Sequence, residues 1–68
     1  MNNMYDVQQL LKRYGIIIYT GKRMSDLQLM EIEVAELFKN QLITSEEYIK
    51  IKRVLHKELS NYKRRINR

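Results

Sequence analysis

Apolar and polar residues follow the period of an α-helix in three separate stretches of this chain. From about Met4 to Tyr14, Val7, Leu10, Leu11 and Tyr14 recur at i, i+3, i+4 and i+7, which stacks them on one helical face. Asn3 stands where a side-chain oxygen accepts from an exposed N–H of the first turn, and Asp6 places a carboxylate at the same positive end of the dipole. Gly15 follows as a C′ residue free to turn left-handed, with Ile16 where a Schellman motif makes its apolar contact. The pattern predicts a helix over about residues 4–14.

The second stretch opens at Ser25. Ser25 and Gln28 have the spacing of a capping box, and Met24 and Leu29 that of a hydrophobic staple, predicting a helix over about 26–39. Leu27, Met30, Val34, Leu37 and Phe38 share one side, bordered by Ala35. Leu29 and Ile32 fall on the other side among Glu33, Glu36 and Lys39. The staple accounts for Leu29 but not for Ile32, whose exposure would suit a neighbouring element or a second copy.

The third stretch opens at Thr44, which pairs with Glu47 as another capping box, with Ile43 and Tyr48 as the staple. Tyr48, Ile51, Leu55, Leu59, Tyr62 and Ile66 then follow at steps of three and four, with no Gly or Pro to interrupt them. This predicts a helix over about 45–66, roughly 30 Å long. The link Asn40–Ile43 is short enough to force helices 2 and 3 into an antiparallel hairpin. The other link, about 15–24, carries Ile16-Ile17-Ile18-Tyr19, too apolar for a free loop and too β-branched for a helix. It is expected to cross the bundle extended, burying some of its isoleucines. The expected fold is all-α: a single small three-helix bundle over 1–68.

Composition narrows the function more by exclusion than by assignment. With no cysteine, the 68-residue chain has neither a disulfide nor a thiolate metal site to staple its small core. The longest purely apolar run, Ile16 to Tyr19, is far short of a membrane span, and the N-terminus lacks the basic and apolar regions of a secretion signal. A cytoplasmic protein is expected, without membrane, metal or cofactor. The formal net charge of +5 is uneven: acidic residues dominate 24–45, whereas 1–23 and 46–68 are basic.

Glu33 and Glu36 have no histidine near them in sequence, and the one histidine, His56, has no carboxylate at metal-ligand spacing. Ser25, Thr44 and Ser45 are occupied at helix starts, and Thr20-Gly21-Lys22 lacks the upstream glycine of a phosphate loop. Without a nucleophile, a base and a group to orient them, an enzyme is not expected.

The basic residues carry the positive argument. Lys50, Arg53, Lys57, Arg64 and Arg68 fall within about 60° of one another on helix 3, opposite its apolar ladder. Lys12, Arg13, Lys22 and Arg23 flank the isoleucine connector, where Tyr19 is the aromatic residue least required by packing. Cations beside an aromatic face are what a single-stranded nucleic acid needs. On this reading Lys12, Arg13, Lys22, Arg23, Arg53, Lys57 and Arg64 contact phosphates and Tyr19 stacks on a base, provided the cations converge on one surface. The alternative is a protein-interaction module or homo-oligomer built on Leu29 and Ile32. A helix-turn-helix reader of duplex DNA fits less well, because the turn has no glycine and helix 3 buries a long ladder.

The run Tyr5-Asp6-Val7-Gln8-Gln9-Leu10-Leu11-Lys12, with Tyr14-Gly15 and Ile17-Ile18-Tyr19-Thr20-Gly21, resembles the YqgQ-like family of short, functionally uncharacterised bacterial proteins. The likeness continues through Leu29-Met30-Glu31, Glu36-Leu37, Tyr48, Leu55 and Glu58-Leu59, essentially the whole chain. It implies a three-helix fold with no established catalytic activity, and single-stranded nucleic-acid binding as the role proposed for the family. A second likeness, in Gln41-Leu42-Ile43-Thr44-Ser45-Glu46-Glu47-Tyr48, is to short helical-hairpin domains that usually carry glycine where Gln41 stands.

Overall fold

The computed structural model describes residues 2–66, the side chain of Ile66 excepted. Three helices account for most of it: α1 (Met4–Arg13), α2 (Arg23–Lys39) and α3 (Ser45–Ile66). No strand occurs among the described residues.

The ends of α1 form as the local sequence predicts. Asn3 Oδ1 accepts from the Asp6 N–H at 3.0 Å. At the other end Gly15 is left-handed (φ +76°), the Gly15 N–H donates to Lys12 O at 2.9 Å and the Ile16 N–H donates to Leu11 O at 3.0 Å. These two bonds are the Schellman closure. The capping box of α3 is likewise present, with the Glu47 N–H donating to Thr44 Oγ1 (3.1 Å) and the Thr44 N–H to Glu47 Oε1 (2.9 Å).

The start of α2 differs from the sequence expectation. The helix begins at Arg23, two residues before Ser25, with Lys22 as an N-cap that makes no side-chain capping bond. A tether absent from the local pattern wins. Asp26, only 7% exposed, accepts from both the N–H and the hydroxyl of Thr20, each at 2.7 Å, and Gly21 (φ +85°) turns the chain between them. Charge-assisted bonds of this length outweigh a serine cap, so Ser25 lies inside the first turn. Leu29, no longer a staple residue, is exposed.

Helices α2 and α3 pack as the antiparallel hairpin. Phe38 stacks on Tyr48 with ring centroids 4.3 Å apart, Glu31 meets His56 at 3.3 Å, and Arg23 pairs with Glu58 at 3.0 Å, so partners climb α3 as they descend α2. Helix α1 also runs antiparallel to α3. The Tyr14 hydroxyl donates to Leu42 O at 2.9 Å beside the hairpin turn, whereas Asn3 and Met4 lie near Val54 and Lys57. Val7, Leu10 and Leu11 of α1 meet Leu27, Met30, Val34 and Leu37 of α2 and Ile51 and Leu55 of α3 in one core, closed by Ile43. Each such side chain contributes about 1.5–3 kcal/mol when fully buried. Phe38 and Tyr14, both expected on buried faces, are instead part-exposed at the core's edge, one held by stacking and the other by its hydroxyl. Ile16 and Ile18 pack on the core from the connector.

Candidate nucleic-acid interface

The α3 face turned away from the core carries Lys50, Arg53 and Lys57, spaced at i, i+3 and i+7 over about 10 Å. They line an open groove with Asn2, Asn3 and Met4, because α1 lies antiparallel to α3 and brings its N-terminus there. Lys50 is paired with Glu46 at 3.3 Å, an exposed i, i+4 contact that holds the ammonium only weakly. Arg53 and Lys57 make no ion pair among the described residues. The one carboxylate lining the groove among the described residues, Glu58, is occupied by Arg23.

Arg64 lies about 21 Å from Lys50 along the helix axis, on the same face, beyond the point where Arg23 marks the start of α2. It borders a second groove with His56, Leu59, Ser60 and Lys63. Arg68, also part of the sequence-derived stripe, lies outside the described residues.

The other candidate residues are placed elsewhere. Lys12 and Arg13 end α1 at the hairpin side of the bundle, where Arg13 is one of the charges acting on Glu47. The Thr44 backbone N–H holds the Glu47 carboxyl below its usual range, assisted by the Thr44 hydroxyl and by the charges of Arg13 and Lys50. Lys22 and Arg23 sit at the opposite end, where Arg23 pairs with Glu58. From Ser45 to Glu58 is about 20 Å of helix, so the two basic pairs stand at opposite ends of the bundle. Tyr19 is 85% exposed on the connector. No connector residue lines the α3 groove, and no α3 residue lines the cleft under the connector. The two basic pairs therefore flank the α3 row from opposite ends of the bundle, Arg13 meeting Lys50 across Glu47 and Arg23 reaching the groove's edge through Glu58, while Tyr19 lies outside the groove. Periodicity exposed the stripe on α3; the separation of the two pairs depended on where α1 ends, which no local pattern encodes.

Leu29 and Ile32 are both exposed on the outer side of α2, Ile32 at 58%. Ile32 lines an open groove with Ala35 and Tyr48, where Lys52 Nζ sits 5.3 Å from the Tyr48 ring centroid. Among the described residues no helix is long and apolar enough to cross a membrane.

A short, cysteine-free, all-α three-helix bundle with a basic outer helix is thus the class to which this chain conforms. Its family follows from direct comparison. The chain belongs to the YqgQ-like family, whose model matches residues 1–61. It is 44% identical over 63 residues to a protein of Bacillus subtilis (strain 168) named Uncharacterized protein YqgQ, spanning 93% of this chain and 89% of that one.

Proposed function

We propose that the chain is a non-enzymatic binding module for single-stranded nucleic acid, and that the strand follows α3. The observation that carries this reading is the row Lys50, Arg53 and Lys57 beside a groove in which the only carboxylate among the described residues, Glu58, is already paired, with Arg64 extending the row. A polyphosphate backbone needs such a track of cations, and binding releases counterions. Four neutralised phosphates give a slope of log K against log salt of about −3. Replacing Arg53 and Lys57 by Gln should halve that slope; binding that ignores salt, or a slope unchanged in the double variant, would rule the α3 track out. Tyr19→Ala locates the strand: affinity is unchanged if the strand keeps to α3, and falls by about 1–3 kcal/mol if a base reaches the connector.

A second reading rests on Leu29 and Ile32, apolar side chains exposed on α2, of which Ile32, 58% exposed, lines an open groove with Ala35 and Tyr48. If that face joins two copies, sedimentation shows a dimer that Ile32→Glu dissociates without touching the salt slope.

A further inference from the structure

The connector between α1 and α2 is built like a strand that has no sheet. Exposure alternates along it: Ile16 and Ile18 are half-buried on the core, while Ile17 and Tyr19 are 78% and 85% exposed. That period of two is the signature of extended backbone. The chain has no shorter course, because α1 ends at the hairpin side and α2 starts near Glu58, a return of about 15–20 Å.

Extended backbone needs hydrogen-bond partners, and this segment has few. The Ile16 N–H donates to Leu11 O and the Thr20 N–H to Asp26 Oδ1. Among the described residues, the N–H groups of Ile17, Ile18 and Tyr19 and the carbonyls from Ile16 to Tyr19 have no partner in the chain. Beside them lies a cleft of about 180 Å³ with Leu11 and Met30 among its apolar lining and Gln8, Gln9 and Lys12 among its polar lining. From Val7 to Ser25 there is no Asp or Glu, while Lys12 and Arg13 precede the segment and Lys22 follows it.

We infer that the Ile16–Tyr19 segment captures an acidic, extended peptide of a partner protein by strand addition. The peptide's N–H and C=O groups pair with those of Ile17 and Tyr19, which share one edge of an extended segment, an apolar side chain enters the cleft, and carboxylates at its two ends meet Lys12 and Lys22. Main-chain pairing supplies affinity in this mode and side-chain pockets supply selectivity. The unpaired row of donors and acceptors favours a peptide over a nucleic acid, which has no such row to offer. Charge disfavours a second copy of the chain, since antiparallel pairing of two connectors sets Lys22 of each beside Lys12 and Arg13 of the other. This site is separate from the α3 groove and does not depend on its role.

The test uses the full ¹⁵N-labelled chain and the peptide acetyl-Glu-Glu-Val-Thr-Val-Thr-Glu-Glu-amide. Expected are shifts of the Ile17, Ile18 and Tyr19 amide resonances and at least about tenfold slower exchange of those amides that turn toward the peptide. A peptide with Lys in place of Glu, and one N-methylated at alternate residues, should each bind at least about tenfold more weakly. Lys12→Glu combined with Lys22→Glu should weaken binding similarly while circular dichroism stays helical; if that variant unfolds, the peptide comparison on the unaltered chain decides. Absence of binding, or equal binding of acidic and basic peptides, overturns the inference. So does an oligothymidylate that shifts the same amides, or protection that appears without peptide and rises with protein concentration.

Discussion

Gln41 adopts the left-handed conformation (φ +60°) where α2 ends, and it is the one non-glycine with positive φ among the described residues. The Gln41 N–H donates to Phe38 O at 3.0 Å and the Leu42 N–H to Leu37 O at 2.9 Å, a second Schellman closure built without glycine. A side chain with a Cβ loses roughly 1–2 kcal/mol in that region. Glycine removes the strain but gives the unfolded chain more freedom, which costs about 0.4–1 kcal/mol. Gln41→Gly should therefore stabilise the fold by about 0.5–1 kcal/mol, both backbone bonds being kept. In a domain this small the melting temperature should rise by about 2–8 °C. Urea unfolding followed by circular dichroism checks the value, with a higher midpoint at unchanged slope as the expected signature. Gly15→Ala serves as the mirror control: a Cβ there meets nothing within 4 Å, so any loss comes from its φ of +76° alone. An unchanged or lowered midpoint for Gln41→Gly would refute the strain argument.

Two further expectations concern the tethers at the helix starts. Asp26→Ala leaves the Thr20 N–H without its partner and should cost about 1–3 kcal/mol, whereas Thr20→Val removes one of the two bonds and should cost about 1 kcal/mol. The two losses should not add in the double variant, because they break the same contact; additivity in denaturant unfolding would count against the tether. Glu47 makes stability depend on pH. Its carboxyl is held below the ordinary value of 4.5, so its contribution is present above that value and is lost as pH falls through the lower folded one. Stability should thus decline below about pH 4.5, and Glu47→Gln should flatten that limb of the profile.

The three helices, the Schellman closure at Gly15 and the α3 capping box were readable from local pattern, because each depends on residues within about one turn of one another, whereas the closure at Gln41, built without glycine, was not. The core faces of α2 and α3 were readable too, where Leu27, Val34, Ile51 and Leu55 keep helical spacing and are almost wholly buried. The start of α2 was not readable. Thr20 and Asp26 are six residues apart across a glycine turn, and only the packed connector brings them together. The same holds for the candidate sites. Helical period placed Lys50, Arg53 and Lys57 on one face, but the pairing of Glu58 with Arg23, 35 residues away, decides which carboxylate is free to oppose them. The antiparallel course of α1 sends Lys12 and Arg13 to one end of the bundle and leaves Lys22 at the other. Sequence thus determined which side chains share a helix face, since that follows from 100° per residue; which faces and ends meet is a property of packing, set by contacts between residues far apart in the chain.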